Sequence, residues 1–393
     1  MISTEVLIIG AGAAGLMCAA EAGKRGRSVL IIEHARKPGN KIRMSGGGRC
    51  NFTNYDVGPE HYFSNNPHFV KSALSRYNQW DFLAMVQRYQ IPFHERDHGQ
   101  LFCDDSSRDI LDMLKAECSD AGVELLLKTS INKIKSLSSG GFFVFGEDKT
   151  WKCQSLVIAT GGLSIPTAGA TPYGYQVAEQ FAIKVLPPSA GLVPLTLQTN
   201  DKENFSLLSG IAVNANVSRG KVSFRENVLF THRGLSGPAI LQISNFWYPG
   251  DSIDIDWLPD IDLKESIADA VLNHPKQQLR TFISRLLPQR LVGVLLDDSL
   301  SVMQLNQLND FQIEKVIVSL KKWNIKPAGT EGYRVAEVTR GGIDCNAVSS
   351  KTFEANSQPG LYFIGEVLDV TGLLGGYNFQ WAWSSGWCAG QYV

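Results

Sequence analysis

The sequence predicts an α/β chain in which a parallel-sheet domain built from β-α-β units is interrupted by an insertion, β-rich first and helical second. Three observations carry this. The first forty or so residues alternate an apolar β-branched run, a glycine turn, a helix-forming stretch and a second apolar run. The texture changes near residue 192 and again near 261. Strands and glycine turns then return from about residue 335 to the end.

At 393 residues, with 44% hydrophobic and 19% charged side chains, the chain has the composition of a globular protein, and its length fits one large domain carrying an insertion or two to three domains. Thirty-seven basic against thirty-eight acidic residues leave a net charge of −1, which argues for a small-molecule substrate and against a nucleic-acid partner. The longest uncharged apolar stretch, 6–20, is interrupted by glycines and is shorter than the roughly 20 residues of a bilayer span. The opening MISTEV lacks a basic n-region. Neither a membrane partner nor a secretory signal is expected. Seven cysteines, never spaced C-x-x-C, fit reduced thiols in a cytoplasmic protein, and no metal site is expected.

In chain order, residues 5–9 read as a strand, 10–15 as a turn, 16–25 as a helix with Leu16, Ala19 and Ala20 on one face, and 28–32 as a second buried strand. A glycine-rich loop over 39–48 precedes helices near 66–76 and 81–89. Asp104 and Asp105 read as a solvated turn. Ser106 or Ser107 caps a helix over 107–120, followed by strands at 124–127, 142–145 and 155–159. This alternation predicts one sheet system to about residue 190. Segments 193–197, 211–217 and 221–230 are β-type, and 261–320 is leucine-rich and helical. The expected organisation is a nucleotide-binding domain from 1–191 and 337–393, a β-rich insert over 192–260, a helical subdomain over 261–321, and a strand returning to the insert over 322–336.

Gly10, Gly12 and Gly15 complete a G-x-G-x-x-G, with Ala13 and Ala14 inside it, between a strand and a helix. Glu33 ends the next strand. Such glycines serve a tight turn, close approach of backbone to a pyrophosphate, and tight helix packing, while the acid accepts from ribose hydroxyls. His34 is placed near adenosine. The far end of the chain favours a flavin over a nicotinamide. The strand 360–364 ends in Gly365 and Glu366, a carboxylate placed for a ribityl hydroxyl. Gly375 and Gly376 then open a terminal helix through Tyr377, Asn378 and Phe379, whose free N–H groups suit the negative charge of a reduced flavin. Ala159, Thr160, Gly161 and Gly162 end a third strand beside them. Trp381, Trp383 and Trp387 read as core.

The segment 40–54, NKIRMSGGGRCNFTN, with FTHRGLSGPA at 230–239 and GEVLD at 365–369, resembles the BaiN/YhiN-like bacterial FAD-dependent oxidoreductases over nearly the whole chain. More distantly, the chain is similar to the fumarate reductase and aspartate oxidase flavoproteins. The resemblance implies a Rossmann-like FAD domain interrupted by a β-barrel-like insert with a helical subdomain. It also implies that Ser45, Gly46, Gly47, Gly48, Arg49, Cys50 and Asn51 wrap non-covalent FAD. Lys41, Arg43 or Arg49 would offset charge there, and Cys50 reads as packing rather than redox.

The expected chemistry is hydride transfer between flavin N5 and a small or medium organic substrate. The bile-acid reductase branch suggests an activated carbon–carbon double bond. No second G-x-G-x-x-G occurs, so NAD(P)H is expected only as a transient reductant. His232 is the candidate for proton transfer and Arg49 for an anionic partner. Two other readings stay open: a flavin oxidase acting on an amine with oxygen, and a flavin-bound RNA-associated or regulatory protein that does no chemistry. Oligomeric state is not legible.

Overall fold

The computed structural model describes residues 1–393, the side chain of Ser206 excepted. The chain divides into two compact units, Met1–Ala190 with Glu337–Val393, and Gly191–Ala336.

The first unit is built on a parallel sheet of five strands in the order Leu361–Phe363, Ser155–Ile158, Val6–Ile9, Val29–Ile32, Glu124–Leu126. Val6–Ile9 and Val29–Ile32 have the same sequence, VLII, and are buried at every position. A central parallel strand is covered on both faces, so its sequence runs apolar without alternation. Helix Ala13–Lys24 leads away from the first strand, and the terminal helix Tyr377–Gly390 packs on it. That approach is close: a Cβ on Gly386 would lie 2.5 Å from the Ala14 carbonyl oxygen. Trp381 and Trp383 are buried, Trp383 stacking on Phe82 at 4.5 Å, and Trp387 stacks on Tyr77 at 5.5 Å. Helix Ser107–Asp120 is capped by Ser106, whose hydroxyl accepts from the Arg108 N–H.

The sheet system does not run on to residue 190 as one body. Phe142–Gly146 belongs to a separate four-stranded sheet with Ile2–Ser3, Ile131–Ser136 and Thr150–Cys153. Asn51–Asn54, Gln100–Cys103 and Phe93–Arg96 form a three-stranded antiparallel sheet. Composition alone hid the latter, because Phe93–Arg96 reads FHER and becomes a strand through its partner rather than its own propensity.

The second unit holds an antiparallel sheet of seven strands, ordered Trp323–Ile325, Ile253–Asp256, Ala212–Arg219, Val222–Phe230, Gly234–Ser236, Leu195–Thr196, Gly329–Thr330. Its two edge strands are consecutive in sequence. The short link 326–328 can span at most about 14 Å, so the sheet curls until its edges are neighbours, which is the barrel-like character. Helices Leu263–Asn273, Leu279–Ile283, Gln289–Leu295 and Asp310–Lys321 share one apolar core with it, Phe230 stacking on Trp257 at 5.5 Å. Among the described residues no helix is long and apolar enough to cross a membrane.

Candidate functional site

The carboxyl ends of the parallel strands bring the glycine motif, Glu33, the 159–162 turn and Gly365 to one edge of the sheet, where open α/β sheets hold ligands. The three motif glycines answer to different demands. Gly10 has φ +112°, and a Cβ there would lie 2.4 Å from the Ala159 carbonyl oxygen; one on Gly15 would lie 2.0 Å from the Gly10 oxygen. Packing inside the protein requires both. Gly12 is in ordinary extended backbone at φ −86°, and a Cβ on it would meet nothing within 4 Å. The space before Gly12 is therefore free of protein, as backbone approach to a pyrophosphate needs. Helix Ala13–Lys24 carries no side-chain cap and no acid in its first turn, so its N-terminus, with Ala13 and Ala14, suits an anion.

Glu33 is clamped at the same edge: Oε2 accepts from the Ala11 N–H at 2.9 Å and Oε1 from the Ala35 N–H at 2.8 Å. The exposed His34 has Nδ1 3.1 Å from Oε1. Thr160 Oγ1 is buried with no hydrogen-bond partner among the described residues, packed where a Cβ on Gly174 would lie 2.2 Å from it.

The sequence placed Glu366 opposite a cofactor hydroxyl, whereas its oxygens already have protein partners. Oε2 accepts from Lys41 Nζ at 2.6 Å, and Oε1 accepts from Ser164 Oγ and the Thr339 N–H, each at 2.9 Å. Lys41 Nζ also donates to Ser164 Oγ at 2.7 Å. Burial pushes the Glu366 carboxyl upward, but the Lys41 charge and these hydrogen bonds outweigh it and hold the group below the usual carboxylate range. Thr339 Oγ1 fixes the neighbouring turn by accepting from the Leu163 and Ser164 N–H groups. A Cβ on Gly162 would lie 2.4 Å from that oxygen, and Gly161 has φ +70°.

After the short helix Asn40–Met44, Ser45 Oγ donates to the Ile42 carbonyl, and Gly46, Gly47 and Gly48 turn left-handed. Gly46 lies on the Phe102 ring. The Arg49 side chain is exposed with no partner among the described residues. Cys50 is buried, and burial pushes its thiol up to about 12, so it packs and does not ionise. Asn51, in the amide orientation that satisfies its neighbours, accepts from the Gly376 N–H at 3.1 Å. That turn is a glycine turn of necessity: Gly376 has φ +95°, and a Cβ would lie 2.4 Å from the Thr53 carbonyl oxygen.

The terminal helix, like the first, has no side-chain cap. Three residues at its start are turned toward protein. Asn378 accepts from the Gly372 N–H and donates to the Gly372 and Leu373 carbonyls; Phe379 stacks on Trp383 at 5.6 Å; Tyr377 tilts against His61 at 4.8 Å. Gly365 is held by Ser385 Oγ and by Trp381 Nε1, which donates to its carbonyl. Sequence reasoning missed one array. His94 Nδ1 lies 2.6 Å from Asp104 Oδ1, and Arg96 Nε donates to His94 Nε2 at 3.3 Å, with Arg96 over the Phe102 ring. Asp104 is thus a histidine partner, which only the strand pairing His94↔Phe102 makes visible.

His232 belongs to the second unit and is exposed on a tight turn. The turn is fixed by the Thr231 N–H, which donates to the Gly234 carbonyl at 2.8 Å, by Thr231 Oγ1, which accepts from the Arg233 and Gly234 N–H groups, and by an Arg233–Glu331 ion pair.

The family model described as HI0933-like protein Rossmann domain matches residues 4–392. The chain belongs to this family of Rossmann-domain flavoproteins. It is 52% identical over 390 residues, 98% of this chain and 97% of the relative, to the ribosomal RNA dihydrouridine synthase of Escherichia coli (strain K12). It is 28% identical over 406 residues, 98% and 97% of the two chains, to the 3-dehydro-bile acid delta(4,6)-reductase of Clostridium scindens (strain ATCC 35704 / DSM 5676 / VPI 13733 / 19). Among solved structures, 3-ketosteroid-delta4-(5alpha)-dehydrogenase from Rhodococcus jostii RHA1 superposes with a TM-score of 0.51 at 14% identity, covering 99% of this chain and 97% of that one, a likeness of fold.

The expectation of no nucleic-acid partner is overturned by the first relative, whose name specifies RNA. The reasoning failed because net charge averages over the whole surface, whereas phosphate binding needs only a local excess of cations.

Proposed function

We propose that this protein reduces uridine to dihydrouridine in ribosomal RNA, with non-covalently bound FAD as the hydride carrier. The observation that carries the reading is the 52% identity to a ribosomal RNA dihydrouridine synthase along both chains. The C5=C6 bond of uracil is conjugated with the C4 carbonyl, so it accepts a hydride at C6 and a proton at C5. It is the kind of activated double bond the sequence analysis anticipates.

Reduced FAD, when bound, supplies that hydride. In this reading the open backbone at Gly12, Ala13, Ala14 and Gly15 receives the pyrophosphate, and Glu33 and His34 flank the adenosine. Thr160, Gly161 and Gly162, the loop from Ser45 to Asn51, and the N-terminus of helix Tyr377–Gly390 surround the remainder. The Lys41–Glu366 pair orders the strand ends beneath it. His232 delivers the proton, and Arg49 receives an anionic oxygen of the substrate. NAD(P)H serves as a transient reductant, and the setting is cytoplasmic.

The test is to incubate the reduced holoenzyme with ribosomal RNA lacking dihydrouridine and to digest it to nucleosides. A uridine that gains two hydrogens at one position supports the reading. Stoichiometric flavin with no such product refutes it. The likeness to a bile acid reductase favours a second reading, reduction of a free enone, which turnover on a steroid enone without any RNA product would select.

A further inference from the structure

Between His34 and Arg49 the chain carries five basic residues, Arg36, Lys37, Lys41, Arg43 and Arg49, and no carboxylate. That is a local excess in a chain balanced at thirty-seven against thirty-eight. In the fold, Lys41 is consumed by Glu366. Arg36 and Lys37 are exposed, with no carboxylate partner among the described residues. A further cation joins them from another strand end: the Lys128 N–H donates to the Ala35 carbonyl at 3.1 Å, which sets this exposed and unpaired lysine beside Arg36. Some exposed cations elsewhere are ion-paired, as in Lys115–Asp112 at 3.0 Å and Arg225–Asp260.

These three cations follow Val29–Ile32 and Glu124–Leu126, at the same carboxyl edge of the sheet as Gly12 and Glu33. The neighbouring Glu33 carboxylate is taken up by the Ala11 and Ala35 N–H groups, so these cations have no ion-paired acid and repel one another, a cost that binding a polyanion would relieve. FAD brings only two phosphates, for which the open backbone at Gly12 and the uncapped helix behind it already provide. Solvent-facing cations beyond Glu33 suit a longer anion. An RNA substrate must also be held by its backbone while one base leaves the stack.

We infer that Arg36, Lys37 and Lys128 form a rim that binds the phosphate backbone of the RNA substrate beside the cofactor site. The inference rests on the reading of the protein as an RNA-reducing enzyme. It is tested with the triple variant Arg36→Gln, Lys37→Gln, Lys128→Gln and a charge-preserving control, Arg36→Lys, Lys37→Arg, Lys128→Arg, both as holoenzymes, against a ribosomal RNA fragment across a salt series.

Each phosphate contact contributes about 0.7 to 0.9 to the slope of log affinity against log salt. The glutamine triple should therefore show a slope shallower by about 2 to 3, a raised KM for RNA, unchanged kcat at saturating RNA and unchanged flavin content. The control should behave as wild type. Lys128→Gln alone should shift the slope by roughly a third as much. An unchanged slope and KM in the triple variant, while wild type forms dihydrouridine, overturns the rim and leaves the function standing. Loss of FAD from the triple variant overturns it too, by assigning these cations to the cofactor. Failure of wild type to form dihydrouridine is read separately, by nucleoside mass, and removes the reading on which the rim rests.

Discussion

Gly12→Val separates what the glycine motif does for the protein from what it does for a ligand. Gly12 sits at φ −86° and ψ −169°, backbone that a β-branched residue adopts readily. Its Cβ would meet no protein atom within 4 Å. The cost to the folded chain is that of a poorer helix N-cap, about 1 kcal/mol or less, or roughly 2–4 °C in Tm for a unit of this size. The cost to FAD is larger, because the valine methyls fill the space where the backbone would approach the pyrophosphate. Losing two charge-assisted N–H bonds, at about 1.5–3 kcal/mol each, totals about 3–6 kcal/mol and weakens binding roughly 10²- to 10⁴-fold. Flavin absorbance per mole of purified protein, alongside thermal unfolding, reads both quantities. Gly15→Ala is the contrasting case: its Cβ would lie 2.0 Å from the Gly10 carbonyl oxygen, so it should destabilise the unit with or without cofactor. A folded Gly12→Val protein that purifies with stoichiometric FAD refutes the assignment of this space.

Lys41→Met should cost about 2 kcal/mol at neutral pH by stranding the Glu366 carboxylate. Because Glu366 has a folded-state pKa depressed below its ordinary 4.5, its contribution is complete above that value and is lost as pH falls through the lower folded value. Wild type should lose stability over that acid range, and Lys41→Met should lose less, as urea midpoints across pH would reveal. His232→Gln should retain FAD and fold while turnover drops about 10²- to 10⁴-fold and one limb of the pH–rate profile flattens; an unaltered profile would return the residue to a structural role. The seven cysteines are all buried, and burial pushes Cys50, Cys118 and Cys388 up to about 12. A thiol reagent at neutral pH should label the native protein slowly and all seven sites only after denaturation; rapid stoichiometric labelling of the native state would contradict that packing.

Local pattern was enough to read the parallel sheet and its glycine turn. Two VLII strands flank a G-x-G-x-x-G and a helix within about thirty residues, and each signal is a short-range consequence of sterics and burial. The capped helix Ser107–Asp120 and the buried terminal tryptophans were legible for the same reason. Long-range pairing was not. Lys41 reaches Glu366 across 325 positions and Ser164 across 123, so the residue chosen from sequence as a cofactor acceptor emerges as the centre of a protein network. The Asp104–His94 pair exists because the polar strand Phe93–Arg96 pairs with the apolar Gln100–Cys103, whose end sets Asp104 beside His94. Charge showed the same division. The sequence determined a balanced total, and the tertiary structure decided that Arg36, Lys37 and Lys128 come to one sheet edge with no ion pair to an acid among the described residues. Sums and periodicities survive in one dimension, whereas the neighbours of a side chain are set by which distant segments the core draws together.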